Sequence, residues 1–266
     1  MRVVATDFDR TLVWTDAALR PRTIRAMQAA HASGIDVIVV TGRMVQSVRQ
    51  ALAPAGIVAP MICYQGAVVV DADGTWLRHE PLPVGLAREI VSALAEIGIE
   101  PNVYVDDELY VAADTKEARA YAELNRIEFQ VVGPLLDWLD ERPTKLVAVG
   151  EPAFLDSIEP DFKARFGDRA FVSKSLPHFL EFAQKGVTKG SGLDVLAEHR
   201  GFTKAQTIAF GDGENDIELL EWPDYGVAVA NAGDRVKRLA RWVCPAAEDE
   251  GVAQVLEALV ALHSKK

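Results

Sequence analysis

The sequence predicts an α/β protein: a doubly wound, Rossmann-like parallel sheet with a second, α+β unit inserted between its halves. Three observations predict it. Short apolar and β-branched runs, such as Val3-Val4-Ala5-Thr6 and Asp36-Val37-Ile38-Val39-Val40, alternate with stretches of helical spacing across short connections. That alternation stops at Glu80-Pro81-Leu82-Pro83 and returns from Lys185. Three of the apolar runs lead straight into polar groups: Asp7-Phe8-Asp9, Thr41-Gly42-Arg43 and Gly211-Asp212. The carboxyl edge of parallel strands is where such sheets bind ligands.

Each element follows from local pattern. After the opening strand, Thr23 to Ser33 reads as a helix, with Pro21 near its start and Gly34 just past its end. A strand over 36–40, a helix over 44–52 and a strand over 61–64 follow. Asp71-Ala72-Asp73-Gly74 is a turn between two further strands. In the middle of the chain, Leu86, Ile90, Leu94 and Ile97 mark a helix, and strands over 102–105 and 108–112 flank Asp106-Asp107. Helices over 116–125 and 154–166 and strands over 146–149, 170–173 and 179–182 complete this part. From Lys189 the order is helix (189–200), strand (206–210), short helix (217–221), strand (225–229), helix (234–239), strand (242–244) and a closing helix through Val252, Val255, Leu256 and Leu259. The expected division is a core of residues 1–83 and 184–266 and an inserted unit of residues 84–183.

The composition narrows the function. Lys and Arg number 28 against 39 Asp and Glu, a net charge of −11, which argues against a nucleic-acid or anionic-membrane partner. Only Cys63 and Cys244 are cysteines, which is neither a disulfide framework nor a zinc pattern and suggests a reducing, cytoplasmic home. No charged-then-apolar leader precedes the first strand, and no apolar run approaches the roughly 20 residues of a membrane helix. The five histidines form no triad with Ser or Cys; His178 is the one to watch, and the five tryptophans read as packing residues.

The chemistry lies in four stretches: Asp7-x-Asp9-x-Thr11, Thr41-Gly42-Arg43, Lys189, and Gly211-Asp212 with Asn215-Asp216. A parallel core brings such strand ends together. Four carboxylates with an Asn amide suit a hard divalent cation such as Mg²⁺, which takes few protein ligands. A lysine and a threonine beside it suit a phosphoryl group, as do backbone N–H groups after Thr41-Gly42. Taken singly, each stretch has a plainer reading: Thr41 as a helix cap, Lys189 as a solvated helix lysine, Asp212 and Asp216 as turn residues.

Together the four resemble the motifs of the haloacid dehalogenase superfamily of phosphatases, within it the Cof-like group with an α/β cap. The first motif, Asp-x-Asp-Gly-Thr, is matched by Asp7, Asp9 and Thr11; the second by Thr41-Gly42-Arg43; the third by Lys189; the fourth by Gly211, Asp212, Asn215 and Asp216. The stretches Val227 to Ala232 and Glu250-Gly251-Val252 resemble that group's C-terminal segment. The resemblance implies phosphoryl transfer in two steps, with Asp7 as nucleophile and Asp9 as acid and base. It implies Mg²⁺ on Asp7, the Asp9 carbonyl and Asp212, with Asn215 and Asp216 around it. It further implies Thr41, Gly42 and Lys189 on the phosphoryl oxygens, and a cap that closes over a small phosphorylated metabolite such as a sugar phosphate. A phosphomutase or a non-catalytic phosphometabolite-binding regulator would carry the same residues. Two positions depart from the pattern: Arg10 stands where glycine is usual, and Gln65-Gly66 where Asn-Gly is frequent. Arg10 and Arg43 are candidate substrate contacts, and the oligomeric state is left open.

Overall fold

A computed structural model describes residues 1–16 and 18–263. The strands are β1 (Val3–Asp7), β2 (Asp36–Val40), β3 (Met61–Cys63), β4 (Val68–Val70), β5 (Trp76–His79), β6 (Asn102–Val105), β7 (Glu108–Val111), β8 (Phe129–Val131), β9 (Lys145–Val149), β10 (Ala170–Leu176), β11 (Phe179–Gln184), β12 (Thr207–Gly211), β13 (Tyr225–Val229) and β14 (Trp242–Cys244). They belong to two compact units, Met1–Arg78 with Thr188–Lys266, and His79–Val187. The limits therefore lie at 78/79 and 187/188 rather than at 83/84 and 183/184. Leu82 is the reason at the first limit: it is fully buried in the second unit's core and its N–H donates to Pro143 O. At the second, β11 runs on through Gln184, still paired with β10.

The first unit is one sheet in the order β14-β13-β12-β1-β2-β3-β4-β5. From β14 to β3 every pair is parallel, and β3–β4 is antiparallel. Strand order reverses at β1, with β2 on one side and β12 on the other, which opens a crevice at their carboxyl ends. All five residues of β1 are buried, so the sheet is covered on both faces. Helices Pro21–Ala32 and Gly251–His263 pack on each other, as do Lys189–Arg200 and Ile217–Glu221. The first of these helices lacks a cap of its own; the Glu250 carboxylate instead accepts from the N–H and hydroxyl of Thr23.

The second unit is a sheet in the order β10-β11-β9-β6-β7-β8. Strand alternation sends Val103, Val105, Leu146, Ala148, Leu180 and Phe182 to one face, where they form a core with Ile90, Leu94, Leu155 and Phe166 of two helices. The β6–β7 turn uses Asp106 and Asp107 at φ 50° and 64°, the left-handed pair that matches strand twist. Strand β8 and the helix Leu135–Trp138 do not figure in the sequence pattern, because three or four residues carry too little periodicity to read. His178 bonds through Nδ1 to Gly150 O, a contact internal to this unit. Trp138 and Trp222 do pack, on Tyr110 and Phe202, but Trp76 and Trp242 are 39% and 50% exposed. Among the described residues no helix is long and apolar enough to cross a membrane.

Candidate active site

Sheet register builds the site. Asp7 lies opposite Val40 and Thr6 opposite Phe210, so the next residues of the neighbouring strands, Thr41 and Gly211-Asp212, reach the same edge as Asp7. Beyond β1 the chain folds into a tight turn in which the N–H groups of Leu12 and Val13 both donate to Phe8 O. Thr11 leaves that turn with its hydroxyl on Asp212 Oδ1, 3.2 Å away. Lys189 opens the helix Lys189–Arg200. Thr188 caps it reciprocally with Ser191, each side chain bonding the other's N–H. That cap fixes where the lysine side chain starts.

The centre is a buried ion cluster. Lys189 is 1% exposed, and its Nζ lies 2.6 Å from both Asp7 Oδ1 and Asp216 Oδ1. Asp216 also closes its own loop, accepting from the N–H groups of Asp212 and Gly213 at 3.0 and 2.9 Å. Burial, then the charge of Asp216, holds the Asp7 carboxyl well above the ordinary range despite Lys189. Burial also pushes Asp212 up, to about 6, with Asp216 adding and Arg10 opposing. Burial works against the Lys189 ammonium, but the charges of Asp216 and Asp7 outweigh it and raise its pKa. Oxygens of Asp7, Asp212 and Asp216 lie within 4.8 Å of one another.

Asp9 stands apart from this cluster, although only Phe8 separates it from Asp7. Its carboxylate is gripped by Arg43, Nε to Oδ2 at 2.7 Å and Nη2 to Oδ1 at 2.6 Å, while the guanidinium lies over the Phe8 ring. Arg43 is therefore paired to a site residue rather than directed at solvent. Thr41 is buried; its N–H donates to Ile62 O and its hydroxyl accepts from Arg43 N–H. It does not cap the helix Val45–Leu52, whose N-cap is Met44. Gly42 is closely packed: a Cβ there would stand 2.5 Å from Gln65 Nε2. Asn215 turns to Gln65 as well, donating to Oε1 at 3.1 Å, so its side chain ties the fourth motif to the β3 loop.

Arg10 adopts φ 60°, the conformation that glycine takes without strain. Its carbonyl is anchored by Asn231 Nδ2 at 2.8 Å, and Nε lies 3.5 Å from Asp212 Oδ2. A left-handed non-glycine residue costs about 1 kcal/mol or more, and one long contact from a side chain 54% exposed returns at most about 1 kcal/mol. The pair does not offset the strain. Sequence reasoning missed three supports: Gln65 as a bracket, Asn231 as an anchor and Glu250 as a cap. All three lie in stretches that stand out in the sequence, Gln65-Gly66, Val227 to Ala232 and Glu250-Gly251-Val252, but nothing in those stretches announces the contact each side chain makes.

Comparisons with known proteins point to one family. A family model for haloacid dehalogenase-like hydrolases matches residues 4–256. The pyridoxal phosphate phosphatase YbhA of Escherichia coli is 29% identical over 269 residues, covering 96% of this chain and 97% of that one. The 5-amino-6-(5-phospho-D-ribitylamino)uracil phosphatase YitU of Bacillus subtilis is 27% identical, with 98% of each chain covered. A solved structure from Thermotoga maritima shares the fold with a TM-score of 0.89 at 29% identity, over 97% of both chains. The chain belongs to the haloacid dehalogenase-like hydrolase family and is an enzyme that hydrolyses phosphoric monoesters.

Proposed function

We propose that the protein is a Mg²⁺-dependent phosphatase of small phosphorylated metabolites, sugar phosphates or related monoesters, working through a phosphoryl group carried on Asp7. One observation supports this most: two carboxylates from a single strand end occupy opposite environments. Asp7 is enclosed with Lys189, whereas Asp9 is half-exposed and held by Arg43. Paired acids set apart in this way divide the work of nucleophile and acid/base.

In the first step an Asp7 oxygen bonds to phosphorus while the ester P–O bond breaks, and Asp9 gives its proton to the departing alcohol. In the second, water attacks phosphorus, the bond to Asp7 breaks, and Asp9 takes the water's proton. Lys189 opposes the effect of burial on Asp7 and, with Thr41 and the N–H of Gly42, would meet the phosphoryl oxygens. The donor set fits a hard cation: three carboxylates within 4.8 Å face one ammonium, and the raised proton affinity of Asp7 and Asp212 marks an excess of negative charge. Asp7, the Asp9 backbone carbonyl and Asp212 would hold Mg²⁺, with Asp216 and Asn215 supporting them. When bound, Mg²⁺ supplies charge that offsets the attacking carboxylate and the phosphoryl group. The inserted unit would supply contacts to the rest of the substrate. Cys63 and Cys244 are buried and form no disulfide, which suits a reducing cytoplasm.

The test is phosphate release from a panel of phosphomonoesters, with Mg²⁺ or with chelator, in wild type and Asp7→Asn. Release should depend on Mg²⁺ and fall by about three orders of magnitude or more in Asp7→Asn. Full activity in Asp7→Asn would overturn the nucleophile assignment. An isomeric phosphate ester in place of free phosphate would make the protein a mutase.

A further inference from the structure

Among the described residues Lys189, Arg43 and Arg10 pair with acidic residues of the site, and the first two are tightly paired. Lys189 is enclosed between Asp7 and Asp216 at 2.6 Å each. Arg43 engages both oxygens of Asp9 and lies over Phe8. Arg10 differs in every respect. Its side chain is 54% exposed, and its contact with Asp212 is long, Nε to Oδ2 at 3.5 Å, beyond good hydrogen-bond distance. Its backbone, in contrast, is fixed. The carbonyl accepts from Asn231, whose own Oδ1 accepts from the N–H of Ala247. The turn thus holds an arginine at φ 60°, where glycine would cost nothing, and leaves the guanidinium half-exposed beside Asp212. Folding does not account for that side chain; a ligand would.

We propose that Arg10 recognises a second anionic group, a carboxylate or a further phosphate, on the leaving portion of the phosphoester. The inference rests on the phosphatase reading above. A guanidinium presents paired N–H donors that match either anion bidentately. Its Nε lies 3.5 Å from Asp212 Oδ2 and its side chain is half-exposed, so Arg10 stands at the rim of the acidic cluster, where the part of an ester beyond the phosphoryl group would project. Asp7, Asp9, Asp212 and Asp216 repel a polyanionic substrate, and Lys189 and Arg43 are already occupied in answering that charge. Arg10 is the cation with donors to spare. Esters of neutral alcohols gain nothing from it, so the chain prefers substrates that carry the additional charge.

The experiment compares kcat/KM for matched esters: ethyl phosphate against the phosphate ester of glycolate, and propyl phosphate against propane-1,3-diol bisphosphate. These are measured in wild type, Arg10→Gln, Arg10→Lys and Arg10→Gly. The ratio of charged to neutral ester should fall at least tenfold in Arg10→Gln, mainly through KM, and recover in part in Arg10→Lys. Arg10→Gly should match Arg10→Gln although its backbone is relaxed, which separates charge from turn geometry. Calorimetric titration of the same esters into Asp7→Asn, with and without Arg10→Gln, reads the same preference as a tenfold change in Kd without turnover. Loss of all hydrolysis with the binding preference intact would sink the phosphatase reading alone. A ratio unchanged within twofold in both assays, or no preference for charged esters in wild type, would overturn the assignment of Arg10. A preference confined to the bisphosphate would assign it to phosphate rather than carboxylate.

Discussion

Arg43 decides which way Asp9 works. Its bidentate grip fixes the plane of the Asp9 carboxylate, the group proposed to move the proton. The proton-donating step needs that grip to loosen. Arg43 is in this sense a positioning residue, acting through Asp9. Arg43→Ala should lower kcat by about ten- to a hundred-fold with little change in KM, and more for alkyl esters than for p-nitrophenyl phosphate, whose leaving group needs no proton. Arg43→Lys, with a point charge for a planar fork, should restore only part of the loss. A change confined to KM would contradict the positioning role.

At the scale of elements, the start of the helix Lys189–Arg200 sets the active lysine. Gly66 lies directly against it: at φ 108°, a Cβ there would stand 2.1 Å from Thr188 O. Gly66→Ala should therefore destabilise the protein by about 2–4 kcal/mol, read as a lower urea midpoint at an unchanged slope. It should also lower activity by shifting Thr188, the cap residue next to Lys189. An urea midpoint equal to wild type would show that the β3 loop moves aside freely. Elements of this size were largely legible in the sequence, because strands of five buried residues and helices of ten or more carry their own period. The convergence of Asp7, Thr41, Lys189 and Asp212 was legible too, since parallel topology alone brings strand ends to one edge. What could not be read depends on the direction of single side chains. Arg43 turning to Asp9, Asn215 turning to Gln65 and the left-handed Arg10 all follow from χ angles and turn geometry that no period encodes. The helix Leu135–Trp138 was illegible for the opposite reason, being shorter than any period.

At the scale of the molecule, the buried cluster couples folding to pH and to metal. Asp212 titrates at about 6 when folded and near 4 when unfolded. A carboxyl raised on folding contributes stability that is complete below about pH 4 and is lost as pH rises through about 6, because the folded state retains a proton that the unfolded chain has released. Asp7 shifts in the same direction. Without metal, this cluster should cost the protein stability as neutral pH is approached. Mg²⁺, if it binds there as proposed, would displace those protons and stabilise the folded state by mass action. Thermal melts in chelator and in millimolar Mg²⁺ should differ by several degrees at about pH 7.5 and by much less at about pH 5. Equal gains at both pH values would mean that the cation does not use these carboxylates.

The chain leaves the first unit at Arg78 and re-enters at Thr188, and these two points are pinned together: Arg78 Nη1 donates to Ser191 Oγ at 3.0 Å, inside the cap of the Lys189 helix. From the viewpoint of the core sheet, residues 79–187 are one closed loop. Loop-closure entropy grows only with the logarithm of length, about 0.6 kcal/mol per doubling. A module of almost any size, joined at those two ends, would close the same sheet around the same aspartates. If the inserted unit contacts substrate as proposed, exchanging one contiguous stretch of the gene should change the substrate range while the aspartates of the first unit stay untouched on either side of it.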